Sequence, residues 1–192
     1  MHPTAADRAE LSLAELPPLV VTLLTAEQAS PRLVAHLTLV HDTALRLCRR
    51  LHKTWPRLAV DSAAIAFGAA THDIGKARIP AELSAPGTLH EAEGERLLLD
   101  HGIDPALARF ARTHGAWAEA KGMPLEDLLV VLADTAWKAK RSKALDDALA
   151  GAVAGATGNA PWDAFMKLDA IIDVIAATAD DRLAWQGRFT AH

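Results

Sequence analysis

The sequence predicts an all-α protein built as a helical bundle, and three observations carry that expectation. Hydrophobic residues make up 51% of the 192-residue chain, aromatics only 5%, and tyrosine is absent, a balance that favours helix over strand. Helix-start signals recur, with Ser30-Pro31, Asp61-Ser62, Pro105, Pro124 and Pro161 each leading into an apolar run. His36, Val40, Ala44, Leu47 and Leu51 step by three or four and so share one helix face. A chain of this length can bury a sizeable core and reads most simply as one domain over residues 1–192. Residues 1–29 read as an N-terminal cover and 146–192 as further helices.

Charge narrows the partners. A net charge of −4 and a pI near 6.1 give no electrostatic case for nucleic acid or an anionic membrane. The single cysteine, Cys48, lies between apolar residues of a helical run and reads as core. Met1-His2-Pro3-Thr4 has no basic region followed by an apolar stretch, and no apolar run reaches membrane-spanning length. The expected location is cytoplasmic.

From the N-terminus, a short helix is expected around Ala5 to Leu16, then the apolar segment Leu19–Leu24 after Pro17-Pro18. Both read as cover for the core. The next helix runs from Ser30-Pro31 to about Lys53, with His36 on its buried stripe. His41 falls about 140° away and His52 is also off the stripe, so both are expected to point elsewhere. Asp61-Ser62 caps an alanine-rich helix that ends in Thr71-His72-Asp73-Ile74-Gly75-Lys76, with Gly75 placed to close it through a left-handed residue. An imidazole beside a carboxylate at a helix end suits a divalent metal. Taken alone, a polar helix-ending turn explains the pair more simply, because a lone His-Asp is a weak motif, so ligands elsewhere in the chain decide.

The stretch Ala77–Leu89, with Pro80, Pro86 and Gly87, reads as irregular backbone. A helix follows from His90 to about Asp100, with Leu97 and Leu98 inward and His101-Gly102 as its cap, which leaves His101 exposed. Another helix starts at Pro105 and ends at His114-Gly115, where the histidine suits either a helix dipole or a ligand role. Pro124 opens an apolar helix that carries Asp134, a carboxylate that needs a cation or a metal if buried. Lys138 and Arg141 lie near the Asp134 face by helical spacing, which makes a patch suited to clamping phosphate. From Ala144 onward the chain is alanine-rich and helical, interrupted at Gly155–Gly158, and reads as packing or dimer surface. There is no glycine-rich phosphate loop, Cys-x-x-Cys pair or nucleophile elbow.

Assembled, His36, then His72-Asp73, then His90, His114 and Asp134 come in order from different helices or helix ends. The chain resembles the HD superfamily of metal-dependent phosphohydrolases, whose ligand set is His…His-Asp…Asp. The resemblance covers roughly residues 30 to 145, strongest at Ala70–Lys76 and Leu132-Ala133-Asp134. It implies a helical bundle with metal between the helices. His36, His72, Asp73 and Asp134 would ligate one ion, and Asp73 would bridge to a second held by His90 and His114. Manganese, iron, cobalt, nickel, zinc or magnesium are candidates, as one or two ions. Asp73 and Lys76 would serve catalysis, while Lys76, Lys138 and Arg141 would hold the phosphate of a small-molecule or nucleotide substrate.

Two branches are similar. The hydrolases that split diadenosine tetraphosphate symmetrically keep all six ligands, but here Gly115-Ala116-Trp117 follows His114 in place of a threonine-rich stretch. The HD-GYP cyclic di-GMP phosphodiesterases share the continuation to Ile79-Pro80 and Pro86-Gly87-Thr88-Leu89, and Lys121-Gly122-Met123-Pro124 is similar to their Gly-Tyr-Pro. The tyrosine, however, is missing, and Thr113 replaces the first of the usual paired histidines. A di-iron oxygenase and a non-catalytic helical interaction module are the other readings; bound iron with oxygen consumption would mark the first, and absence of turnover with any divalent ion the second.

Overall fold

A computed structural model describes residues 2–118 and 122–190, and among them every regular element is helical. Thr4 caps α1 (Ala5–Glu10) through a reciprocal capping box with Asp7. This helix is shorter than the sequence suggests, because Ser12 turns the chain with φ of +50°. Then come α2 (Pro18–Ala26), α3 (Pro31–Thr54) and α4 (Ser62–Thr71). Ser30 caps α3, and Asp61 caps α4 by accepting from the backbone N–H groups of Ala63 and Ala64. Two 3₁₀ turns, Ile74–Ala77 and Pro80–Leu83, give form to the segment expected to be irregular.

Leu89–Asp100 forms α5, which closes at Gly102 with φ of +76°. The helix expected from Pro105 divides into α6 (Pro105–Ala108) and α7 (Phe110–Ala116) around Arg109. Next are α8 (Leu125–Ala136), α9 (Lys143–Thr157), α10 (Pro161–Ala176) and α11 (Ala179–Gly187). Gly155 lies inside α9, so the expected interruption is confined to Gly158, whose φ of +70° ends the helix. Lys121, part of the segment compared with Gly-Tyr-Pro, lies outside the described residues.

The long helix α3 runs through the middle. One core packs its Leu39, Leu47 and Leu51 with Ile65 of α4, Leu129 and Leu132 of α8, Leu149 of α9 and Ile172 of α10. A second core joins Val20 and Leu23 of α2, Leu33 and Leu37 of α3, and Leu97 and Leu98 of α5. Ala69 belongs to the first core, while Ala70 and Ile74 belong to the second. His72 and Asp73 therefore sit where the two meet. Because neighbours surround α3, His41 is also buried, at 4% exposure, and its Nδ1–H donates to the Ala66 carbonyl at 2.9 Å. The amphipathic reading of that helix is corrected on this point: its second face is dry as well. Burial lowers the His41 pKa, which keeps the ring neutral as a core residue.

Between α7 and α8, Asp127 is buried and accepts from Arg109 at 2.9 Å and from the Thr113 hydroxyl at 2.6 Å. Pairing of this kind is what a buried carboxylate requires. No helix among the described residues is long and apolar enough to cross a membrane.

Candidate metal centre

The segment 72–77 turns as it does because the last backbone bond of α4 runs from His72 N–H to the Gly68 carbonyl at 2.7 Å, after which the chain tightens into a 3₁₀ turn. Gly75 is not left-handed, contrary to the expectation for a helix-closing glycine. It is small for a different reason. A Cβ there would meet the His90 carbonyl oxygen and come within 2.6 Å of the Gly94 nitrogen. The absent side chain lets α5 approach the turn, and that approach brings His90 to Asp73.

Six side chains converge. The Nε2 atom of His36 is 3.3 Å from that of His72 and 3.4 Å from Asp134 Oδ1. On the other side, His90 Nε2 is 3.4 Å from His114 Nε2. Asp73 stands between. Its Oδ2 lies 3.2 Å from His36 Nε2, while its Oδ1 lies 3.1 Å from His90 Nε2 and 3.3 Å from His114 Nε2. Two triads result, His36–His72–Asp134 and Asp73–His90–His114, each with ligand atoms close enough to hold a metal ion.

The hydrogen bonds behind the imidazoles favour that use. His72 Nδ1–H donates to the Ala69 carbonyl at 3.0 Å, His114 Nδ1–H to the Ala111 carbonyl at 2.9 Å, and His90 Nδ1–H to Glu82 Oε2 at 2.5 Å. With Nδ1 engaged behind each ring, Nε2 is the atom turned to the cluster, where it bonds an aspartate and, on giving up its proton, would ligate a metal. Burial opposes charge on Asp73, but His72 and the hydrogen bonds from His114, His36 and His90 hold its carboxyl far below the ordinary range. The same balance, led by burial against and His72, His36 and Lys138 in favour, lowers the Asp134 pKa. Both aspartates are thus carboxylates at neutral pH. Imidazoles with a free Nε2 and ionised carboxylates in two adjacent groups fit one or two divalent ions.

The cluster floors a cavity of about 370 Å³, also lined by Arg32, Lys76, Leu83, Trp137, Lys138, Leu183 and Gln186. Lys76 Nζ donates to Asp73 Oδ2 at 2.6 Å, and Lys138 Nζ to Asp134 Oδ1 at 3.3 Å. Arg141 is elsewhere. Helical spacing places it by Asp134, but α8 ends at Ala136 and Ala139 turns the chain with φ of +52°. Arg141 instead donates to Asp169 at 2.6 Å and to Asp146 at 3.1 Å, and it does not line this cavity.

The sequence reading did not single out Glu82, Arg32, Trp137 or Gln186. Only Glu82 carried a local signal, as the sole carboxylate between Ala77 and Leu89. Burial opposes its ionisation, yet bonds from the His90 ring and from the backbone of His90 and Leu89 lower its pKa.

No curated protein and no solved structure matches the chain. A family model for the HD domain, however, matches residues 24–136, more than half of the sequence, including all six converging residues. Fold, ligand cluster and family model agree: this chain belongs to the HD domain family, a superfamily of metal-dependent phosphohydrolases.

Proposed function

We propose that the chain hydrolyses a phosphoester or phosphoanhydride bond in a nucleotide or other small phosphate compound, using one or two divalent ions held by His36, His72, Asp73, His90, His114 and Asp134. The observation that carries this reading is the division of one carboxylate: Asp73 Oδ2 faces His36 and Oδ1 faces His90 and His114. Divalent ions held there supply charge neutralisation for a phosphoryl group and lower the pKa of water at neutral pH.

The chain's own residues do the rest. His72, His90 and His114 keep their Nδ1 protons engaged, which fixes the rings and leaves Nε2 basic. Lys76 and Lys138 add positive charge to a cavity in which burial strengthens electrostatics on phosphoryl oxygens. Hydrolysis adds the water oxygen to phosphorus and breaks the P–O bond to the leaving group. The leaving oxygen takes the electron pair, and a proton from water balances it. Serine or cysteine nucleophiles are not needed, and among the described residues none lines the cavity.

Elemental analysis of the purified protein, together with a nucleotide and dinucleotide panel under added manganese, cobalt or nickel, tests the reading. The expected result is about two transition-metal ions per chain and phosphate or nucleotide release. Asp73→Ala and Asp134→Ala should each abolish turnover while keeping a helical far-UV spectrum. Full activity in either variant would sink the assigned site. Two irons with oxygen consumption and no hydrolysis would move the protein to oxidative cleavage, and no metal with no turnover would leave a helical interaction module.

A further inference from the structure

We infer that Arg32, in the first turn of α3, forms with Gln186 of α11 and Trp137 an outer subsite that binds a second phosphate group on the substrate, beside the one that is hydrolysed. This rests on the phosphohydrolase reading above and narrows it to substrates that bear at least two phosphates.

Three cations line the cavity, and they are not equivalent. Lys76 and Lys138 are engaged with the carboxylates of Asp73 and Asp134. Arg32 is half-buried and has no carboxylate, carbonyl or aromatic partner for its guanidinium among the described residues. Partly buried arginines elsewhere are paired, such as Arg78 with Glu27 and Arg109 with Asp127, and so is the buried Arg182, with Asp42. A guanidinium that lines the cavity with no protein anion keeps its planar fork open, and that fork matches the oxygens of a phosphate.

Its neighbours in the wall complete the subsite. The Gln186 side-chain amide has no hydrogen-bond partner among the described residues. Trp137 is 2% exposed and its indole N–H is enclosed, so it contributes a rigid wall and no donor. Leu183 forms an apolar edge. An oxygen-rich anion satisfies the open guanidinium and amide, whereas an apolar or cationic group would not.

The wall is held rigidly. Arg32 N–H donates to the Thr190 carbonyl at 2.9 Å, which ties the start of α3 to the segment after α11. Arg182, almost fully buried, donates to the Thr43 hydroxyl at 2.8 Å and to Asp42 at 3.3 Å. Trp185 Nε1–H donates to the Asp7 carbonyl at 2.9 Å. These bonds fix the helix that presents Leu183 and Gln186, as a preorganised subsite requires.

The test is calorimetric binding of two non-hydrolysable probes, methylenediphosphonate and methylphosphonate, to manganese-loaded protein. Arg32→Gln should cut the preference for the diphosphonate by about ten- to a hundredfold, the range for losing a charge-assisted hydrogen bond. Arg32→Lys should lose less, because charge remains without the fork. Arg50→Gln, an equal charge change at an exposed site near the other end of α3, should keep the wild-type ratio. An unchanged ratio in Arg32→Gln, or an equal loss for both probes, would overturn the subsite. Phosphate or nucleotide release from ADP and a dinucleotide panel with added manganese is measured in parallel. Turnover with no effect of Arg32 on the probe ratio rejects the subsite alone, and no release from any of them rejects the hydrolase reading, whatever the ratio. ADP and adenosine 3′,5′-bisphosphate then separate the two sources of a second phosphate. Preference for either over AMP supports the proposal, and preference for neither overturns it.

Discussion

Replacing Glu82 with alanine should separate the two halves of the metal centre. Glu82 Oε2 accepts the His90 Nδ1–H at 2.5 Å and the His90 backbone N–H at 3.0 Å, while Oε1 accepts the Leu89 N–H at 3.2 Å. One carboxylate thus orients a ligand ring and caps the first turn of α5. Loss of the cap costs about 1 kcal/mol of stability. Loss of the orienting bond costs roughly 10- to 100-fold in metal affinity, or about 1.4–2.7 kcal/mol. That loss should fall on Asp73–His90–His114, because Glu82 makes no hydrogen bond to His36, His72 or Asp134. Manganese titration by calorimetry should show one event weakened and the other near its wild-type value, with helicity retained. Glu82→Gln, which keeps an oxygen acceptor of similar size, should lie between. Equal weakening of both events, or of neither, would refute the assignment of Glu82 to the second triad.

Two further outcomes are expected. Gly75→Ala places a methyl against the backbone of His90 and Gly94; neither atom can rotate away, so α5 must shift at a cost of about 1–3 kcal/mol. A thermal melt should record a lower Tm and elemental analysis a smaller metal content, and wild-type values of both would contradict the close approach. The pair between Glu27 and Arg78 makes a pH prediction. The hydrogen bond from Arg78 lowers the Glu27 pKa from 4.5 to about 2. Between those values the unfolded chain binds the extra proton, so the contribution is complete above the ordinary pKa and fades as pH falls toward 2. After screening of this partly solvated pair it is worth about 1 kcal/mol. Denaturant titration of Glu27→Gln against wild type should show the gap closing over that interval, whereas a gap independent of pH would rule out the pair as its source.

Much of the inner site is legible in sequence because coordination restricts residue type. The pair His72-Asp73, the last-turn His114 and Asp134, directly after the apolar run Leu128–Ala133, all stand out against what those positions otherwise hold. Helix starts are legible for a similar reason: Ser30 and Asp61 satisfy N–H groups that each helix leaves open. Other features depend on neighbours that no local pattern contains. His41 reads as a wet-face residue only while α3 is imagined with one dry side, and its carbonyl partner comes from α4, twenty-five residues on. Arg141 fails to reach Asp134 because Ala139 takes a left-handed turn without glycine. Gly75 carries a genuine constraint, but steric approach by α5 supplies it, not backbone hand.

The outer wall of the cavity is least legible, and the physics explains why. A ligand position admits only a few side chains, whereas a wall position admits almost any residue whose backbone arrives there. Leu183 and Gln186 arrive because Arg182 docks on Asp42 across 140 residues of sequence and Trp185 on Asp7 across 178. Those contacts look, in sequence, like an ordinary surface arginine and an ordinary apolar tryptophan. The family match ends at residue 136, immediately before Trp137 and well before α11. The six converging side chains all lie in the matched segment, whereas Trp137, Lys138, Leu183 and Gln186 of the cavity wall lie beyond it. Exchange of Gln186 or Leu183 would alter the wall without touching any of the six converging side chains, so one metal chemistry could serve different substrates through changes confined to this helix.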